Sequence, residues 1–188
     1  MEMLAKKHLF TVTEFHQMGE IFSEDDRVEL IEGEIIEMAA IGNYHLFCVN
    51  ALTNIITSQI QGIATISVQN PIYLNELSEP QPDLTILQGH YRRYFHHRAT
   101  ASDVLLLIEV ADSSYRYDQK TKIPLYARHS IAEVWLFDLT HQSVEVYNAP
   151  QPSGYSQRQI ARAGQQLSPR LLPKVVVNLT ELFEPQKI

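Results

Sequence analysis

The segment Val104-Leu105-Leu106-Leu107-Ile108-Glu109-Val110-Ala111 constrains the fold more than any other part of the chain. It is apolar on both faces of a strand, the pattern of a central strand in a sheet covered on two sides. One residue breaks the run. Glu109 carries a carboxylate into that interior, where a charge is costly unless it is paired, protonated or bound to a metal ion.

The flanking sequence supplies the layers that would cover such a strand. Residues 11–18 place Phe15 and Met18 at helical spacing behind a hydroxyl cap at Thr13, with Gly19 as the stop, which predicts a short N-terminal helix. Residues 27–38 set two β-prone runs on either side of Glu32-Gly33 and predict a hairpin. From Asn43 to Ile60, Leu46, Phe47, Val49, Leu52, Ile55, Ile56 and Ile60 follow the i, i+3, i+4 rule, with Asn43 as the cap. This helix should pack on a sheet. Strands are expected at residues 63–68, 71–74 and 84–87, separated by the breaker-rich stretch 75–82. A helical segment should follow the central strand at 121–129, and Pro124 must sit in its first turn or kink it. Residues 133–139 and 143–148 read as an antiparallel pair, 150–164 as polar and turn-rich, and 171–183 as a short strand and a last turn of helix. No repeat or linker divides the chain, so residues 1–188 are expected to form a single α/β (α+β) domain.

Composition narrows the function. With 45% apolar and 20% charged residues the chain can build a core, which excludes wholesale disorder. Fifteen Lys+Arg against 22 Asp+Glu give a net charge of −7, which argues against sequence-independent coating of nucleic acid while permitting a locally basic groove. Cys48 is the single cysteine, so a disulfide framework and a structural zinc site are both excluded, and a reducing compartment is expected. The N-terminal run from Met1 to His8 leads into no apolar stretch of signal-peptide length, and no segment approaches the roughly 18 apolar residues of a spanning helix. A soluble, cytoplasmic protein with no membrane partner is expected.

The chemistry centres on Glu109. Pro82-Asp83 stands at the entrance of another apolar strand, so two carboxylates meet if the strands are neighbours, and such a pair suits Mg²⁺, which takes one or two protein carboxylates and keeps several waters. Asp118, Lys122 and Tyr126 are spaced by fours and would share one helical face, from which Lys122 could reach back over the strand ends. A metal and a lysine beside a phosphodiester lower the pKa of an attacking water and neutralise charge developing on phosphorus.

These residues, in this order, resemble the Uma-two-like restriction-endonuclease family, a domain of unknown function in the PD-(D/E)-x-K nuclease superfamily. The likeness rests on Pro82-Asp83, Ile108-Glu109-Val110, the Asp118/Lys122/Tyr126 spacing and Glu133-Val134-Trp135-Leu136-Phe137-Asp138, with Glu29 to Glu34, His45 and Leu172-Pro173 in support. It implies a restriction-endonuclease-like mixed β-sheet core flanked by helices, with an N-terminal helix and β-hairpin. It implies Asp83 and Glu109 as ligands of Mg²⁺, with Mn²⁺ as a substitute, and a lysine as the third catalytic residue. In the superfamily's usual pattern the lysine stands two residues after the second acid, a place held here by Ala111. The resemblance moves the role to Lys122, with Lys120 as its neighbour and competitor. It also implies an added N-terminal acid, either Glu29 or Glu34, and DNA as the partner.

Plainer readings stand beside these. Glu109 and Lys122 could form a purely structural pair, Asp83 could be a loop acid, and Asp118 with Lys122 an ordinary surface pair worth tenths of a kcal/mol. Asp118 is therefore left outside the catalytic set. His45 could bond a phosphate or a metal-bound water, or simply pack, and Gln69 is a weaker candidate of the same kind. The run 91–98 mixes Arg92, Arg93 and Arg98 with Tyr91, Tyr94 and Phe95, which suits phosphate contacts and base stacking or, alternatively, a dimer interface. The expected activity is metal-dependent hydrolysis of DNA phosphodiesters, with a homodimer if both strands are cut. The alternatives are a nuclease-fold domain that no longer cuts and serves as a binding or assembly module, and a metal-independent hydrolase using the two carboxylates alone.

Overall fold

The computed structural model describes residues 6–22 and 26–183; the segment from Met1 to Ala5, part of the N-terminal run considered above, lies outside them. Helix α1 (Val12–Gln17) is followed by the hairpin β1 (Val28–Ile31) and β2 (Glu34–Glu37), the long helix α2 (Asn43–Thr57), and strands β3 (Ala64–Val68), β4 (Leu84–Gln88) and β5 (Val104–Ala111). A helical crossover contains α3 (Tyr115–Tyr117), a π-turn (Asp118–Lys122) and α4 (Ile123–Arg128). Strands β6 (Glu133–Asp138), β7 (Ser143–Gln151), β8 (Gly154–Arg162), β9 (Gln166–Leu167) and β10 (Val177–Asn178) and helix α5 (Leu179–Phe183) complete the described chain.

Six strands form one mixed sheet in the order β3-β4-β5-β6-β7-β8. All its neighbours are antiparallel except β5 and β6, which run parallel because the helical crossover returns the chain to the starting edge. The expected mixed sheet flanked by helices is what the chain forms. Alternation along β5 sorts its side chains. Leu106, Ile108 and Val110 join Leu52, Ile56, Trp135 and Phe137 beneath α2 and α5, while Leu107 and Ala111 join Ile123, Tyr126, Val134 and Leu136 beneath α4. Glu109 shares that second face.

Several local expectations are corrected. The cap of α1 is Thr11, not Thr13, because Thr11 has Glu14 three residues on; the Glu14 N–H donates to Thr11 Oγ1 at 3.2 Å and the Thr11 N–H to Glu14 Oε2 at 2.8 Å, a capping box. Helix α2 is capped at Gly42, not Asn43, and stops at Thr57. Its buried face is Cys48, Val49, Leu52 and Ile56, whereas Leu46 and Phe47 point outward. Residues 71–74 are extended but not a sheet strand: the Ile72 N–H donates to Pro80 O and the Tyr73 N–H to Ala99 O, and only Tyr73 makes an isolated bridge, to Thr100. The run 150–164, expected to be turns, is mostly the β7–β8 hairpin. Strand β8 is a sheet edge with five consecutive exposed residues, Ser156 to Ile160, so it lacks the apolar alternation that marks a strand in sequence.

The hairpin turn is as expected. Glu32 and Gly33 both hold positive φ (50° and 81°), the signature of a two-residue type I′ turn. An added β-carbon on Gly33 would meet the Leu9 β-carbon at 2.6 Å, so this turn needs glycine. Among the described residues no helix is long and apolar enough to cross a membrane.

Candidate active site

Asp83 immediately precedes β4 and sits one step beyond the Leu84–Ile108 pair of the β4–β5 ladder, which brings it across from Glu109. Directly opposed residues of an antiparallel pair have β-carbons about 4.5–5.5 Å apart. The two expected metal ligands therefore meet. Asp83 Oδ2 accepts from the Val110 N–H at 2.9 Å, and Oδ1 accepts from Gln69 Nε2 at 3.2 Å and lies 3.0 Å from His45 Nε2. The hairpin brings a third acid: Glu29 Oε2 accepts from the Gln81 N–H at 3.0 Å. Glu34, the other N-terminal candidate, is exposed and pairs with Lys7.

The crossover delivers the lysine. Pro124 has no N–H, and its ring would clash with the carbonyl four residues back, that of Lys120. The preceding turn is widened into the π-turn, closed by the Ile123 N–H donating to Asp118 O. Lys122 then points inward, with Nζ 2.8 Å from Glu109 Oε1 and 3.1 Å from Glu29 Oε2, while Lys120 is exposed. One turn on, the Tyr126 hydroxyl donates to the same Glu109 oxygen at 2.5 Å. Asp118 accepts from Ser114 Oγ at 2.7 Å. Four carboxyls, Glu29, Asp83, Glu109 and Asp118, are thus buried around the buried ammonium of Lys122. They line a cleft of about 570 Å³ together with His45.

This crowding sets the electrostatics. Burial, partly offset by Lys122 and reinforced by Asp118, Asp83 and Glu29, pushes the Glu109 carboxyl up to about 8. Burial also raises Asp118, against the pull of Lys122. At Asp83 burial is outweighed by the hydrogen bond and charge of His45, the Val110 N–H and Lys122, so its carboxyl is held below the usual value. Burial opposes the charge on Lys122, but Glu109, with Glu29 and Asp118, overcomes it and keeps the ammonium protonated well above its ordinary range.

Among the described residues no group of three or more His, Cys, Asp and Glu side chains is arranged as a ready metal cage. The donor set nevertheless suits a hard cation: two all-oxygen ligands are what Mg²⁺ takes from protein, with waters completing its shell, and the surplus of buried carboxyls over ammonium favours added positive charge.

Tyr126 and Gln69 are the contacts that residue patterns underweighted. Tyr126 was visible in the spacing by fours but had no task; its bond to Glu109 gives it one. Two buried polar atoms at the cleft, His45 Nδ1 and the Tyr117 hydroxyl, have no hydrogen-bond partner among the described residues. Tyr117 carried no signal in sequence. The basic run lies elsewhere. It follows the far end of β4, five residues and about 17 Å of strand from Asp83. There Arg93 pairs with Asp103 at 2.8 Å, Arg98 stacks 4.7 Å over the Tyr73 ring and lies 3.7 Å from Glu79, and Arg92 is exposed.

Residues 12–180 match the family model described as "Uma2: Putative restriction endonuclease". A solved structure from Anabaena variabilis, described as "a putative nuclease belonging to DUF820", is similar over 93% of this chain and 97% of its own, with 20% sequence identity and a TM-score of 0.72. At that identity the likeness is one of fold. Comparison with curated protein sequences finds no match.

Proposed function

The chain belongs to the Uma2 restriction-endonuclease family, and from that premise we propose that it is a divalent-cation-dependent endonuclease hydrolysing DNA phosphodiester bonds. The observation that carries the reading is the buried cluster in which Glu29, Asp83, Glu109 and Asp118 surround Lys122 at an open cleft. A surplus of buried carboxyls is costly in an inert core and useful where a cation and a phosphate must be received.

In this reading Asp83 and Glu109 hold Mg²⁺ or Mn²⁺. Bound there, the ion would lower the pKa of an attacking water and neutralise charge on the phosphoryl oxygens. Lys122 is held protonated by its carboxylate neighbours, so it acts as a hydrogen-bond donor and positive charge and not as the base. Its ammonium stabilises the charge that develops on the phosphate in the transition state. Glu29 and Tyr126 fix the two ends of this arrangement, Glu29 by holding Lys122 and Tyr126 by holding the Glu109 carboxyl. His45 orients Asp83 through Nε2 and leaves Nδ1 for a group arriving in the cleft. Arg92 would meet DNA away from the cut, since it is exposed on the run beyond β4, and cutting of both strands would use two copies related by a two-fold axis.

The test is incubation of plasmid, linear and branched DNA with the wild-type chain in Mg²⁺, in Mn²⁺ and in EDTA. Cutting in either metal that stops in EDTA and returns on metal addition is expected. Cutting that survives excess EDTA, or DNA binding with no cutting in either metal, would overturn the proposal.

A further inference from the structure

We infer that Gln69 is a positioning residue that fixes the Asp83 carboxylate for cation binding, an inference that rests on the metal-dependent reading above. Gln69 lies just past the end of β3 with φ of 50°, in the left-handed region that a residue with a β-carbon occupies only where its surroundings hold it there. Its backbone is gripped on both sides: the Gln69 N–H donates to the Asp83 carbonyl at 2.9 Å, and the Gln69 carbonyl accepts from Gln81 Nε2 at 2.5 Å. These two bonds tie the loop to the residues leading into β4 without the Gln69 side chain.

The side chain has a different task. Its amide reaches Asp83 Oδ1 at 3.2 Å, and because a carboxylate only accepts, the amide must present its NH₂ group there. Oδ1 therefore receives two side-chain donors, Gln69 and His45, while Oδ2 receives one backbone N–H, that of Val110. The load on Oδ1 fixes the plane of the carboxylate and leaves Oδ2 the less occupied oxygen. Gln81 extends the same support, since its N–H donates to Glu29 Oε2 while its side chain holds the Gln69 carbonyl. One loop thus orients the acids of both the sheet and the hairpin. Partners of this kind, bonded to ligating carboxylates, set metal affinity without touching the metal.

The experiment compares the wild-type chain, Gln69→Gly, Gln69→Asn and Asp83→Asn by Mn²⁺ titration calorimetry, thermal denaturation and DNA cleavage. Glycine and asparagine both accept positive φ, so each keeps the backbone while one removes the amide and the other withdraws it by a methylene. Mn²⁺ affinity in both Gln69 variants should fall about 10- to 100-fold, with kcat reduced, KM for DNA unchanged and the thermal midpoint not lowered. Variants that bind Mn²⁺ within twofold of wild type, or that lose affinity only together with thermal stability, would overturn the positioning role. If in that case wild type binds and cuts while Asp83→Asn does neither, the nuclease reading stands without it. A wild-type chain that neither binds Mn²⁺ nor cuts DNA would remove both.

Discussion

Lys122 is the residue on which the cluster balances. Its ammonium lies against Glu109 and Glu29 with its side chain 3% exposed, so removing it strands carboxylates in the interior with no compensating charge. Lys122→Met should lower stability by about 3–5 kcal/mol at about pH 9, where the Glu109 carboxyl beside it is ionised, the cost of breaking a buried pair from one side, measured by chemical denaturation. A methionine variant as stable as wild type would mean that the carboxyls are already neutral or reach water. At this scale the sequence was informative wherever a residue type was out of place. A carboxylate in an apolar strand marked Glu109, and a proline-aspartate at a strand entrance marked Asp83. Spacing by fours from Asp118 and Tyr126 favoured Lys122 over Lys120, whereas the choice between Glu29 and Glu34 was not readable from residue type, because the two differ only in the direction the hairpin points the side chain.

Elements decide those directions. The π-turn forced by Pro124 sends Lys122 and Tyr126 to one carboxyl, and the Glu32-Gly33 turn fixes the register that turns Glu29 inward and Glu34 out to Lys7. The hairpin and the central strand were legible because turn chemistry and apolar continuity are local signals. Strand β8 was not, since an exposed edge strand owes its pairing to β7 and not to its own pattern. The turn holding Tyr91 to Phe95 is a further case: Phe95 is 81% exposed, yet the segment is clamped by Asp103, whose side chain receives Arg93, His97, Thr100 and Gln88. Burial opposes that charge, but the His97, Gln88 and Thr100 hydrogen bonds outweigh it and hold the Asp103 carboxyl below the usual carboxylate range. A carboxyl depressed in the folded state stabilises fully above its unfolded value, near pH 4, and loses that contribution as pH falls through and below it. The difference in thermal midpoint between wild type and Asp103→Asn should therefore hold from pH 7 to about pH 5 and narrow below about pH 4. A gap independent of pH across that range would contradict the clamp.

For the whole molecule, the sheet order explains why residues so far apart in sequence form one site. Strands β4 and β5 bring Asp83 to Glu109, the parallel step to β6 requires a crossover, and that crossover carries Lys122 over the carboxyl end of β5. The layered architecture could be anticipated from a strand buried on both faces; the convergence of hairpin, crossover and the 69–83 loop on one cleft is a property of the assembled fold. It also separates the turn that carries Arg92 from the carboxyl cluster by the length of β4, so any DNA contact at Arg92 belongs to a different part of the surface. The central claim is that this cluster is a cation-dependent cutting centre. Its most direct measurement is cleavage of one DNA substrate in Mg²⁺ by wild type and Glu109→Gln, a swap that preserves the size of the side chain, with both confirmed folded by circular dichroism. The account predicts metal-dependent cutting by wild type and a loss of at least about a hundredfold in the variant, the scale on which catalytic electrostatics is felt; equal cutting by the two would contradict it.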